Sequence, residues 1–347
     1  MLVDSSPVPR AEAAPAPPTR RAARALGLLL SVVMLVLAAL ASIAVGAKAL
    51  SPDQVWHGLF HDTGTYGDVV VDERLWRTVL GLLAGAALGL AGSVLQALTR
   101  NPLADPGLLG INAGASAAVV TAITYFGVTS LTGYVWFAFL GAAAVGALVW
   151  FLGGSRGATP VRLALAGTAI SAALYGYLQA VMIIDDSALG RMRFWTVGSL
   201  ASATHSTVTQ VLPFLAAGTL LALALARPLN AVEMGDDTAR ALGANLDRTR
   251  ALAMLAATVL CGAATAACGP IMFVGLMVPH AVRSLTGPDL RWILPYAAVL
   301  SPVLLLGADV VGRIVARPAE LQVGIVTAIL GGPVFILLVR RRRTAQL

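Results

Sequence analysis

Charged residues make up only 12% of these 347 positions, and the chain has a single lysine, Lys48. No G-x-x-x-x-G-K run occurs, so the chain has no glycine-rich loop of the kind that cradles nucleotide phosphates. Cysteine is nearly absent. Cys261 and Cys268 lie seven apart inside one apolar run, a spacing that puts both on one helix face as small hydrophobes and not in a disulfide framework. The four histidines are scattered. His57 and His61 are spaced i, i+4 in a polar segment and read as an exposed pair, with a shared metal as the alternative; His280, after Pro279, reads as a packing residue, and no metal site is expected. No Asp, Glu, Lys or Arg falls in the middle of any long apolar run. Proton- or sodium-coupled carriers use such groups to bind the coupling ion, so that class is disfavoured. An intramembrane enzyme is disfavoured too, because no Ser/His or paired-carboxylate constellation lies at that depth.

What the chain has in abundance is apolar length: 58% of its residues are hydrophobic. A polytopic all-α membrane protein follows. Candidate spans lie near 25–47, 76–98, 107–128, 134–153, 162–184, 207–227, 250–268, 271–284, 292–309 and 323–340. The eighth is too short to cross about 30 Å of hydrocarbon unaided and must be buried among its neighbours. With the N-terminus inside, 17 of the 24 basic residues fall in inner segments. The outer seven are Lys48, Arg74, Arg77, Arg191, Arg193, Arg313 and Arg317, whereas the 17 acidic residues divide 8 inside to 9 outside. That bias places both termini in the cytoplasm. Residues 1–24, rich in Pro and Ala, read as a disordered cytoplasmic tail, with a cleaved signal peptide as the alternative. Residues 25–340 form the transmembrane domain, and 341–347 a basic cytoplasmic end. Gly81, Gly85 and Gly89 form two overlapping small-xxx-small repeats, fitting either a subunit interface at the bundle centre or close packing within one chain.

Between two apolar runs, residues 229–250 read LNAVEMGDDTARALGANLDRTR, a charged interruption placed inside by the same count. Gly235 breaks the preceding run, Asp236 or Asp237 suits an N-cap, and Gly243 suits a left-handed stop. The two turns between are marginal in water alone, which points to docking on a cytoplasmic partner, a packed loop of the same chain being the alternative.

Here the residues resemble a known family. The stretch from Asp237 to Gly243, with Thr238, Ala239, Arg240 and Leu242, looks like the coupling segment of ABC importer permeases, flanked by Glu233, Gly235 and Asp236. RNPLADPGLLGINAGAS (100–116), RFWTVGSL (193–200), GPIMFVGLMVPHAVR (269–283), ADVVGR (308–313) and VGIVTAILGGPVFILLVRR (323–341) resemble the FecCD family, which serves iron-siderophore, haem and cobalamin uptake. Within it, LTRNPLADPGLLGINAGAS and VLCGAATAACGPIMFVGLMVPH look most like the D-type permease subunits of ferric-enterobactin importers. The resemblance implies a type II importer fold of about ten helices in the bacterial cytoplasmic membrane. It implies a second permease subunit, two cytoplasmic ATPase subunits and an extracytoplasmic siderophore-binding protein, with lipid around the bundle and no nucleic acid. No cofactor is expected on this chain; ATP and Mg belong to the ATPase. It also implies that Arg74, Arg77 and Arg313 meet acidic residues of the binding protein. Asn101, Pro102 and Leu103, with Thr159, Pro160 and Val161, correspond to cytoplasmic gate loops. Two departures are Trp76, where the family's R-L-P-R has proline, and Gln322, where E-L-P-V-G has proline. A ferric siderophore, catecholate-like, is the expected cargo; haem or cobalamin is the alternative, and an ion-coupled secondary carrier a remote one.

Overall fold

The computed structural model describes residues 20–60, 64–128, 130–154 and 160–344, and no strand occurs among them. The helices are α1 (Arg20–Ala44), α2 (Pro52–Phe60), α3 (Tyr66–Thr99), α4 (Ile111–Phe126), α5 (Leu131–Gly154), α6 (Pro160–Ile184) and α7 (Asp186–Trp195). They continue with α8 (His205–Ala224), α9 (Ala226–Glu233), α10 (Asp236–Ala241), α11 (Leu246–Cys268), α12 (Val274–Thr286), α13 (Leu290–Val315) and α14 (Val323–Thr344). Each of the ten apolar runs is helical. Seven helices are long and apolar enough to cross a membrane, α4 and Val323–Leu337 are shorter apolar helices, and α12 has 13 residues, so the eighth run is short as expected.

Burial separates the centre from the rim. In α3, 78% of the apolar window is buried, against 11% in α1 and 17% in α6, so α3 is the axis of the bundle. Glycine makes that possible. A Cβ on Gly85 would lie 2.6 Å from Pro302 Cα, and Cβ atoms on Gly81 and Gly89 would run into Leu306 and Ser301. The glycine stripe is therefore close packing of α3 on α13 within this chain, the second of its two readings. Cys261 and Cys268 are buried on α11 as unpaired thiols.

Polar contacts collect at two faces. One joins the end of α3, α9, α10, the start of α11 and the turn from α12 to α13, through Arg100–Asp236, Arg250–Asp236, Arg283–Glu233 and Asn230–Asp289. The other joins the end of α1, the start of α3 and the end of α13, through Ser42, Arg77, Asp309 and Arg313. These are termed the inner and outer faces after the charge count above.

Several expected boundaries move. Helix α1 begins at Arg20, so residues 20–24 are helical and not part of the tail; residues 1–19 lie outside the described residues. Helix α14 extends to Thr344, so most of the basic end is helical, and residues 345–347 lie outside. Helix α3 starts ten residues before its apolar run, at Tyr66, where Thr65 N donates to Asp68 Oδ2 at 2.9 Å. Trp76 lies inside this continuous helix, its indole donating to Asp72.

Replacing Gly85 by leucine must force α3 from α13, at a cost of about 1–3 kcal/mol or more. Gly176→Leu, whose Cβ meets nothing within 4 Å, is the control. In detergent, Gly85→Leu should lower the thermal midpoint or abolish monodisperse protein while Gly176→Leu behaves as the parent; equal behaviour of the two would contradict this packing.

Candidate functional site

Helix α10 is held from three sides. Gly235, at φ +106°, takes the N-cap position, so Asp236 and Asp237 open the helix as its first turn and neither acts as the cap. Asp236 is employed differently: its carboxylate accepts from Arg250 Nη2 at 2.7 Å and, through its other oxygen, from Arg100 Nη2. Burial raises the Asp236 carboxyl, but the Arg250 hydrogen bond and the charges of Arg250 and Arg100 outweigh it and hold it below the usual carboxylate range. At the far end, Gly243 at φ +78° is left-handed as expected; its N–H donates to Arg240 O and that of Ala244 to Ala239 O, both at 2.9 Å. This is the paired-bond stop of a Schellman motif. Underneath, Val232, Ala239 and Leu246 form a small apolar cluster of their own. The helix thus packs on this chain, as the packed-loop reading required, while Asp237, Thr238, Arg240 and Leu242 face outward. Neighbouring Glu233 pairs with Arg283 at 2.7 Å.

The first of the segments expected to form gates, residues 101–103, grows directly from that clamp. Arg100 ends α3 in the left-handed region, at φ +49°, and Asn101 Oδ1 accepts from Leu103 N at 3.0 Å to close the turn. The loop divides two cavities. One, of about 600 Å³, is lined by Gln96, Arg100, Pro102, Asn230, Glu233, Arg283 and Asp289. Hydrogen bonds from Arg291 hold the Asp289 carboxyl near 2, so its bond from Asn230, at 2.8 Å, persists across the physiological range. The other, of about 330 Å³, is lined by Thr99, Asn101, Asp105, Val161 and Thr168, and so brings the two expected gate segments together. Pro160 opens α6 and Val161 is exposed beside it; Thr159 lies outside the described residues. Burial pushes the Asp105 carboxyl up to about 6, although Gly107 N donates to it at 2.8 Å.

A third region lies along the exposed side of α6. Two adjoining cavities, of about 480 and 310 Å³, share Tyr175, Thr196 and Pro270 and are completed by Asn112, Ser116, Gln179 and Met272. The loops behind them are stitched by backbone: Ser199 N donates to Cys268 O at 2.7 Å, and Gly324 N to Gly198 O at 3.1 Å. Gly324 and Gly269 are required there, because a Cβ on either would run into Val197 O or Trp195 O. Phe273 opens α12 at φ +70°, a conformation disfavoured for a side chain of that size.

On the outer face, Arg74, Arg77 and Arg313 are all buried, with partners inside the chain. Arg77 forks onto Asp309 at 2.9 and 2.7 Å and reaches Glu320 at 2.6 Å. Arg313 donates to Ser42 O at 2.8 Å and pairs with Asp309 at 3.0 Å. Arg74 donates to the carbonyls of Ile43, Ala44 and Lys48. The three arginines expected to meet a binding protein therefore each have partners within the chain: burying a guanidinium requires compensation nearby, and Asp309 and α1 supply it. Among the described residues no cluster of three or more His, Cys, Asp or Glu suits a metal; His61 lies outside them. Sequence reasoning missed Arg100 and Arg250 as members of the α10 site, since nothing in their spacing shows that one carboxylate joins them.

Residues 34–341 match the FecCD transport family. Over 327 residues the chain is 47% identical to the ferric enterobactin transport system permease protein FepD of Escherichia coli (strain K12), covering 93% of this chain and 96% of that one. It is 38% identical over 313 residues to the ferric enterobactin transport system permease protein FepG of the same organism, covering 89% and 94%. A solved structure of a metal-chelate type ABC transporter in an inward-facing conformation superposes with a TM-score of 0.81 at 28% identity, covering 91% of this chain and 99% of the other.

The Asp105 carboxyl yields a pH test. Its folded value of about 6 exceeds the unfolded value of about 3.9, so the group favours the folded chain at low pH and that contribution is lost as pH rises from about 4 through 6. Asp105→Asn, neutral throughout and able to keep the Gly107 bond, should raise the thermal midpoint at pH 7.5 by an amount corresponding to roughly 3 kcal/mol and change it little at pH 4. An identical pH slope in both proteins would contradict the assignment.

Proposed function

The chain belongs to the FecCD transport family, and from that premise we propose that it is the membrane-spanning permease subunit of an ATP-driven importer that carries a ferric siderophore, of catecholate type, across the bacterial cytoplasmic membrane. The observation that carries this reading is the clamp at Asp236, which ties a six-residue surface helix to the residue where the gate loop begins. The likeness to permeases of ferric enterobactin transport supports the cargo.

The geometry supports the following arrangement of the parts. Two ATPase subunits, which bind the ATP and Mg, dock on the inner face around α10, where Met234 and Leu242 expose apolar side chains beside Asp237 and Arg240. A second permease subunit covers α6, which carries Thr168, Tyr175, Tyr177 and Gln179 exposed on a helix otherwise suited to lipid. An amide turned to hydrocarbon is unfavourable by several kcal/mol, so a partner or a water-lined path on that side is the stable arrangement. The lateral cavities, with hydroxyl and amide groups but no charge, hold a bulky chelate loosely and form that path. The binding protein docks on the outer face. There Arg74, Arg77, Arg313 and Arg317 outnumber the Asp309 and Glu320 carboxylates among them, so this cluster keeps a local positive charge that acidic groups can meet at close range, although the outer segments as a whole hold more acidic than basic residues. Both termini lie in the cytoplasm.

The complete complex in liposomes, with its ATPase and binding protein, should take up labelled ferric catecholate on addition of ATP, and more of it than ferric hydroxamate, ferric citrate, haem or cobalamin. Uptake driven by a proton or sodium gradient without ATP would overturn the reading. Gly243→Val discriminates further. Its Cβ meets nothing, so the substitution strains only the left-handed stop, by roughly 1–2 kcal/mol. It should keep binding-protein docking and lose ATP-coupled uptake; unchanged uptake would make α10 an ordinary loop.

A further inference from the structure

The transport reading leaves one large cavity unused. Between the inner half of α1 and the turn from α12 to α13 lies a cleft of about 780 Å³, whose walls include Leu30, Met34, Leu285 and Leu300. Helix α1 is fastened to α13 at both ends, by Arg313 to Ser42 at the outer face and by a second contact near the inner face, and the cleft opens beside the inner one. Tyr296 Oη donates to Arg24 O at 2.6 Å, and Gly27, one turn on, leaves the space that Tyr296 Oη occupies, since a Cβ there would collide with it. Beyond that contact Leu30 and Met34 remain exposed on α1, the least buried of the long apolar helices.

The cleft has polarity along its depth. Arg24 stands at its mouth, with its guanidinium near Gly287 across the opening and no carboxylate partner among the described residues. Arg21 lies three positions earlier, on the same side of the helix, and is exposed. From Arg24 to Met34 the helix rises about 15 Å, half of a hydrocarbon core about 30 Å thick. Positive charge at headgroup level above an apolar slot one leaflet deep matches an anionic glycerophospholipid.

We propose that this cleft binds one anionic phospholipid of the inner leaflet, its phosphate held by Arg24 and Arg21 and one acyl chain laid along Leu30, Met34 and Leu300. Occupancy ties the peripheral helix α1 to the moving inner face, since Leu285 and Thr286 of the same cleft end α12, whose Arg283 pairs with Glu233 beside α10.

Native mass spectrometry of the full chain, titrated with phosphatidylglycerol or phosphatidylcholine of equal chain length, reads this directly. Phosphatidylglycerol should be retained at about fivefold lower concentration or better, the scale set by each arginine at a membrane surface. Arg24→Glu should abolish that preference. Leu300→Trp, which fills the slot, should weaken both lipids, and Leu40→Trp, on the outer half of α1, should change neither. Size-exclusion profiles and thermal midpoints distinguish lost binding from lost folding. Equal retention of the two lipids, or a preference that survives Arg24→Glu, overturns the proposal. So does a several-fold rise in phosphatidylglycerol binding on deletion of residues 1–19, because that would make the chain's own N-terminus the occupant.

Discussion

One carboxylate, that of Asp236, organises the inner face. Its two oxygens take one arginine each, Arg250 from the start of α11 and Arg100 from the end of α3, so three segments distant in sequence share a single charge. A six-residue helix cannot stand by propensity alone. This one stands because the clamp fixes its beginning, the Gly243 stop fixes its end and Ala239 anchors its middle on Val232 and Leu246. Arg100 terminates the most buried of the long helices and begins the loop proposed as a gate, so a push on α10 has a route to both. The clamp is also half-open to solvent, with side-chain exposures of 37% for Arg100 and 33% for Asp236. Such a pair is worth little to stability, and it exchanges partners without the large penalty of breaking a buried ion pair.

The outer face is built on the opposite principle. Asp309 is fully buried and Arg313 nearly so, and removing one member of such a group leaves an uncompensated charge, at roughly 3–5 kcal/mol. That network fastens α1, α3 and α13 together, whereas the inner face combines the half-exposed Arg100–Asp236 pair with the more buried Arg250–Asp236 and Arg283–Glu233 pairs. The half-open Arg100–Asp236 pair is thus the inner-face link that can exchange most easily, while the outer network stays fixed. Along the lateral cavities neutral hydroxyl and amide groups replace charge, which is the chemistry the proposed path for a bulky chelate requires.

Much of this was legible in the sequence, and the failures have physical causes. Apolar length marks helices well, so all ten runs were found. The start of α3 was missed because Asp68, Asp72, Glu73 and Arg74 lower the hydropathy of its first turns; the helix tolerates them because Asp68 caps it and Arg74 has three carbonyls to satisfy it. Helices α2, α7 and α9 are too short to register as spans. Asp236 reads as an N-cap from its place after Gly235, yet the glycine's own positive φ puts the cap one residue earlier and frees the carboxylate for the arginines. The burial of Arg77 could not be read, since Asp309 and Glu320 lie 232 and 243 positions away.

The claim that partner motion reaches the gate through Asp236 is tested most directly by a double-mutant cycle on the reconstituted importer, measuring chelate transported per ATP hydrolysed in the parent, Arg100→Gln, Asp236→Asn and the double variant. If the two residues act as one link, each single change lowers the ratio and the double variant is no worse than the poorer single. Losses that multiply, or a ratio unchanged in Asp236→Asn, would show that the force travels by another route.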